Sequence, residues 1–283
     1  VDVAGYVPTG SGLTALDSPK RLVDTRAVGG RFGSSSASGV SVLRLKVAGA
    51  LTVKGAASGL PSSGVGAVAM NVTVVDGKDK DGYGFVTVYP CASDSTPVPD
   101  ASNLNFAGGQ TVPNSVLAPL SADGYVCFSV YGNTDLLVDA SGYFPSGSGF
   151  SALSEPKRVV DTRGGGRFGT TSTSKVSVKR VKIAGALTAD GKATGLPASG
   201  IGAVALNVTA VEGFDDGGYG FVTAYPCDSL TTTVPNASNL NFAGGETIPN
   251  AVIAPVSADG YVCFSVYGNT DLLVDASGYF SSV

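Results

Sequence analysis

Few side chains in this sequence have the type and spacing to do chemistry. Two Asp-Thr-Arg triplets, Asp24 to Arg26 and Asp161 to Arg163, each follow two apolar residues. Four cysteines stand at Cys91, Cys127, Cys227 and Cys263, and Asp76, Asp79 and Asp81 crowd in front of Gly82. Histidine and tryptophan are absent and methionine occurs once, so no imidazole can serve as base, proton shuttle or zinc ligand. Ser/His/Asp and Cys/His hydrolases are thereby excluded together. Paired carboxylates could still cleave a glycosidic bond without histidine. A repeat of 136 residues with no tryptophan for sugar stacking is a poor frame for that, and the expectation is that the protein is not an enzyme.

Each triplet reads structurally. An Asp and an Arg fixed at one strand end make a hydrogen-bonded ion pair more often than a reactive centre. Asp139 and Asp275 lie in VDASGYF, where apolar residues surround a carboxylate that a guanidinium would relieve. Arg26 with Asp139 is the expected pair, Asp24 stands beside it, and Asp161, Arg163 and Asp275 are the counterparts in the second copy. The acidic cluster offers hard oxygens on a tight loop, as calcium requires. The aligned residues of the second copy are Glu212, Asp215 and Gly217, with Asp216 in place of Lys80, so the spacing is not kept. A solvated acidic turn is the preferred reading, calcium at Asp76, Asp79 and Asp81 the weaker one, and no other cofactor is expected.

The cysteines pair most economically as Cys91 with Cys127 and Cys227 with Cys263, each separated by 36 positions. Disulfides of this kind persist in oxidising space, so an extracellular location is expected. Charged residues are 14% of the chain, and 18 basic against 22 acidic side chains leave a net charge of -4. That balance disfavours a nucleic acid partner. No apolar run is long enough for a transmembrane helix, and no signal-peptide pattern leads the sequence, as in a processed chain.

These groups are positioned by a duplicated element. Asn71, Cys91, Cys127 and Tyr143 recur 136 residues later as Asn207, Cys227, Cys263 and Tyr279. The period is far above that of a solenoid and equals a domain. The expected organisation is a terminal strand at 1–8 resembling the end of a preceding repeat, a first domain at 9–147 and a second at 148–283, joined at Pro145 to Gly149. Alternation in Val68 to Val74 and in Val126 to Val130, with Gly at the boundaries, predicts short half-buried strands. The fold class follows as all-β: two homologous β-sandwich domains, jelly-roll or Ig-like, with one disulfide each. A shift of apolar phase between Val42 and Leu45, repeated near Val178 and Val181, predicts a β-bulge. The segment 48–66 carries too many breakers for a helix and reads as an ordered loop.

Three further patterns bear on function. The Lys and Arg of each copy lie in its first part, between Lys20 and Lys80 and between Lys157 and Lys192, while the rest of each copy carries only acids. Either basic and acidic strands neutralise one another inside a domain, or each domain is electrically polar and stacks with neighbours. Tyr83, Tyr89, Tyr125, Tyr131 and Tyr143 could present an aromatic face to sugar, although strand packing is their default. Asn71, Asn103, Asn105 and Asn114 read as satisfiers of bends, and Asn71-Val72-Thr73 is a glycosylation triplet in an apolar strand.

Taken jointly, PKRLVDTR, AVAMNVTVV, GYGFVTVYPC, SNLNFAGGQTVPN and DGYVCFSVYGNTDLLVDASGYF resemble tandem repeats of large secreted and cell-surface proteins of bacteria, especially actinobacteria. The resemblance covers both copies nearly end to end. It implies secretion, a β-rich module and a non-catalytic part, and it transfers no site residues. The functional expectation is an extracellular structural or adhesive module that assembles with copies of itself or neighbouring repeats into arrays or filaments. The alternative is a carbohydrate-binding module for cell-wall or environmental polysaccharide.

Overall fold

The computed structural model describes residues 6–8, 10, 12–28, 32–33, 40–78, 83–170, 176–214 and 218–282. The chain forms two compact units, built on Val7–Glu155 and on Pro156–Val283. The terminal strand expected at 1–8 lies largely outside the described residues, and Tyr6, Val7 and Pro8 belong to no strand. Among the described residues no helix is long and apolar enough to cross a membrane.

In the first unit the strands are β1 (Thr14–Asp24), β2 (Phe32–Gly33), β3 (Val40–Lys46), β4 (Val65–Lys78), β5 (Tyr83–Pro90), β6 (Leu104–Ala107), β7 (Val112–Pro119), β8 (Tyr125–Tyr131) and β9 (Asn133–Pro145). One sheet has the order β1-β9-β4-β7, with β2 added to β9, and the other has the order β3-β8-β5-β6. Successive long strands therefore alternate between the sheets except at β5 and β6. That is jelly-roll connectivity, with four main strands in each sheet in these orders, and not the Ig division of strands between its sheets. Every second side chain points inward. Val68, Met70, Val72 and Val74 of β4 and Leu136, Val138 and Ala140 of β9 meet Val126, Phe128 and Val130 of β8 and Val86 and Val88 of β5 in one core.

The second unit repeats the plan with β10 (Phe150–Asp161), β11 (Phe168–Thr170), β12 (Val176–Lys182), β13 (Ile201–Phe214), β14 (Tyr219–Pro226), β15 (Leu240–Ala243), β16 (Ile248–Pro255) and β17 (Tyr261–Ser281). The long β17 does the work of β8 and β9 together. Its first part pairs with β12 and β14, and its later part pairs with β13 and β11. It changes sheets at Gly268, where φ is 90°, and the matching Gly132 between β8 and β9 has φ 93°. A side chain is strained in that conformation, so glycine marks the crossing. Phe106 fills the same corner, wedged so closely between Gly77 and Gly84 that a Cβ at either would overlap its ring; Phe242 repeats this between Gly213 and Gly220.

Two sequence expectations change in detail. The bulge in β3 is absent: Val40 to Lys46 pair with Tyr131 to Tyr125 in unbroken register, as do Val176 to Lys182 with Tyr267 to Tyr261. Leu43 and Leu45 pack on the core, while Val42 faces outward and packs on a separate cluster of Tyr89, Cys91 and Cys127. The strand has two apolar faces, which imitates a phase shift. The border between the units falls inside β10, and Phe150 packs on Phe144 with ring centroids 4.9 Å apart. The segment 48–66 is an ordered loop of turns, pinned where the Ser58 hydroxyl donates to the Ala50 carbonyl at 2.5 Å.

Candidate functional site

The triplets sit where β1 and β10 end. In register, Arg21 stands directly across from Asp139 on β9. Its Nε and Nη2 donate to the two carboxylate oxygens at 2.5 and 2.9 Å, and its Nη1 reaches Asp24 at 3.2 Å. Arg158 grips Asp275 in the same bidentate way, at 2.9 and 3.1 Å. The expected Arg26–Asp139 pair is therefore incorrect. Arg26 lies past the strand end, in a short 3-10 turn at Thr25–Val28, and its side chain folds back on Asp24 at 2.9 and 2.8 Å. Arg163 does the same to Asp161. Position in register, which triplet spacing alone does not reveal, decides which arginine reaches the neighbouring strand.

The middle residue of the triplet ties the strand end. Thr25 Oγ1 accepts the Leu136 N–H at 2.9 Å and donates to Asp135 at 3.2 Å, and Thr162 does likewise with Leu272 and Asp271. Arg26 beside it holds the Asp24 carboxyl down to about 2, and Arg163 lowers Asp161. A carboxylate held so acidic stays ionised and cannot donate a proton near neutrality. The triplet is a strand lock. Arg21 of β1 faces Asp139 of β9, and Arg44 of β3 meets Asp123 in the turn before β8 as Arg180 meets Asp259, so basic and acidic side chains pair within each unit.

Both disulfides are formed, Cys91–Cys127 and Cys227–Cys263, each with Cα atoms 5.7 Å apart. They lie on the outer face of the β3-β8-β5-β6 sheet and its counterpart, where they fasten the loop between β5 and β6. That loop is laid over the sheet by side chains. Thr87 Oγ1 donates to the Ala101 carbonyl at 2.6 Å, Asn103 Oδ1 accepts the Val88 N–H at 2.7 Å, and Asn114 Nδ2 donates to the Asn103 carbonyl at 2.5 Å. Asn103 and Asn114 thus satisfy a bend, while Asn71 donates only to Thr73 on its own strand. Buried Tyr89 packs against the cystine beneath the loop.

The five tyrosines separate into different environments. Tyr143 packs partly buried on the core and Tyr89 lies under the loop. Tyr125 is capped by cations, with Arg44 Cζ 3.5 Å and Lys46 Nζ 4.7 Å from its centroid. At the other end of the face Tyr131 is half-buried and stacks on exposed Tyr83 (5.5 Å, 21°) and on Phe85 (5.1 Å, 11°). The second unit repeats this tier with Tyr219, Tyr267 and Phe221 at 5.5 and 5.1 Å. Tyr83 is 53% exposed and Tyr219 57% exposed. Phe85 went unnoticed in the sequence, although its place one residue before inward Val86 marks it as an outward aromatic.

At the acidic cluster, Asp79 and Asp81 lie outside the described residues, as do Asp215 to Gly217. Asp76 and its counterpart Glu212 have left-handed backbones with φ 49° and 48°, and their N–H groups donate to Thr111 and Thr247 at 3.2 Å. Asp76 faces Lys78 and Glu212 faces Arg167. Among the described residues no group of three or more His, Cys, Asp or Glu could hold a metal ion.

No family model and no curated protein matches the chain. Among solved structures, the N-terminal CBM22-1–CBM22-2 tandem domain of Paenibacillus barcinonensis Xyn10C is 11% identical over 97% of this chain and 94% of that one, with a TM-score of 0.24. Broad Bean Stain Virus is 9% identical over 99% and 93%, with a TM-score of 0.29. The STIV MCP is 8% identical over 95% and 96%, with a TM-score of 0.26. None of these likenesses assigns a role to a residue of this chain.

Proposed function

We propose that the chain is a non-catalytic structural or adhesive module of an extracellular or cell-surface protein, repeated to build arrays with its own copies or neighbouring repeats. The supporting observation is the use made of its charged groups. Among the described residues, each carboxylate whose acidity departs from the ordinary value is pushed down, at Asp17, Asp24, Asp161, Asp190 and Asp259, with an arginine or lysine among the causes every time. An acid catalyst needs the opposite displacement. Cystines that tie surface loops to the sheets suit an oxidising exterior. A second reading, carbohydrate recognition, is favoured by one observation, the aromatic tier whose outer tyrosine, Tyr83 or Tyr219, is exposed on each unit.

Sedimentation and electron microscopy of the full chain over a range of concentrations test the main reading. Growth into oligomers or filaments supports it, and a monodisperse particle throughout overturns the assembly role. Release of reducing ends from any glycan, lost on changing one carboxylate, overturns the non-catalytic reading.

A further inference from the structure

We infer that Tyr83, Tyr131 and Phe85, with Tyr219, Tyr267 and Phe221, are two docking platforms for a neutral pyranose polymer. The inference rests on reading the units as non-catalytic modules and names a ligand for a surface which that reading leaves idle. Isolated exposed apolar residues are ordinary on proteins. These are not isolated: three rings on adjacent strands are held with their planes 11° to 21° apart in the first unit and 13° to 25° in the second. The outermost ring is more than half exposed in both copies. At the other end of the same face Tyr125 and Tyr261 are covered by Arg44 and Arg180, so the fold caps one aromatic and leaves the other open.

The chemistry of the tier selects its occupant. A pyranose presents a face of C–H groups that packs on the negative face of an aromatic ring, and a rim of hydroxyls that needs donors and acceptors. Tyrosine supplies both an apolar body and a polar tip. Asn105 on β6 pairs in register with Phe85, as Asn241 does with Phe221, which places a carboxamide beside each tier. Asn105 Oδ1 already accepts from Ser102 at 2.9 Å and Asn241 Nδ2 already donates to Ser238 at 3.2 Å, and each amide keeps further capacity for a hydroxyl. Among the described residues of the first unit, the cations of this face, Arg44 and Lys46, are engaged with Asp123 at the far end of β8, about 20 Å away at 3.4 Å per residue. This placement favours a neutral ligand over an anionic one. One half-exposed tyrosine and two more sheltered rings offer at most about 250 Å², well short of the ~800 Å² per partner of a standard protein interface. A polymer needs no larger patch, because its many repeated sugars raise the chance that any one of them occupies a given platform.

The test is affinity electrophoresis of the full chain in gels holding hydroxyethylcellulose, mixed-linkage β-glucan, arabinoxylan, galactomannan or soluble starch, with polygalacturonate as the anionic comparison, plus pull-down on chitin. Retardation by at least one neutral polymer is expected. Tyr83→Ala and Tyr219→Ala should each weaken it about tenfold, the loss typical of an aromatic anchor, and the double variant should abolish it with the unfolding midpoint unchanged. Tyr83→Phe should keep most of the affinity. No binding to any neutral polymer, binding to polygalacturonate alone, or full binding by the double variant overturns the inference. Loss of self-association in the double variant, followed by sedimentation, also overturns it by making the tier a contact between copies. Reducing ends are measured in the same samples: polymer degradation refutes the non-catalytic reading, whereas absence of binding refutes the platform alone.

Discussion

Removing Arg158 should destabilise the second unit far more than removing Arg21 destabilises the first. The two bidentate pairs have the same chemistry and different burial: the Asp275 and Arg158 side chains are 2% and 10% exposed, against 21% and 32% for Asp139 and Arg21. Arg158→Met keeps the apolar stem but leaves a carboxylate in the sheet without its guanidinium, which costs about 3–5 kcal/mol at a buried site. Water reaches Asp139, so Arg21→Met should cost about 1–2 kcal/mol, between the surface and buried limits. At a urea slope of about 2 kcal/mol/M these losses lower the midpoints by about 2 M and about 0.5–1 M. Urea titration followed by circular dichroism, with hydrogen exchange to assign each transition to a unit, reads both. The double change Arg158→Met with Asp275→Leu should recover most of the loss, since an apolar pair replaces the ionic one at little cost. Equal losses from the two arginine variants, or a double variant as unstable as the single one, would refute the reasoning.

Three further outcomes are expected. Replacing Cys91 and Cys127 by serine releases a loop closed over 36 positions and should cost about 4 kcal/mol on the chain-entropy model; calorimetry checks it, and exchange should rise first in the loop between β5 and β6. Gly84→Ala forces a methyl into the Phe106 ring and should cost about 1–3 kcal/mol as overpacking, whereas Gly108→Ala, with open space at its Cβ, should be close to neutral in thermal melts. Asp24 is held near 2 by Arg26, below the unfolded value of about 3.9. Because its folded pKa is depressed, its stabilisation is complete above pH 4 and is lost as pH falls from 4 to 2; Asp24→Asn should flatten the decline of the denaturation midpoint across that window.

Much of the fold was legible because the pattern is local. The alternation of Val68 to Val74 and of Val126 to Val130 follows from the pleat, and a cysteine pair repeated at one spacing follows from duplication. The β3 bulge was misread because Val42 is apolar for a reason outside its strand: the β5–β6 loop folds back and buries that face. The partner of Asp139 was misassigned because Arg21 and Arg26 are both near in sequence, and only pairing with β9 separates them. The tyrosines could not be sorted from composition, since the same residue type is capped by a cation at Tyr125 and left open at Tyr83.

By itself, the sequence determined a duplicated all-β chain, the positions of its inward-facing residues and a chemistry without imidazole, because period, composition and spacing act through neighbours along the chain. Tertiary structure alone decided jelly-roll over Ig connectivity, which arginine locks the terminal strand and which aromatic rings face solvent. Those features depend on register and on which strands become neighbours across long separations, and a linear pattern fixes which face a residue takes without fixing what lies against it.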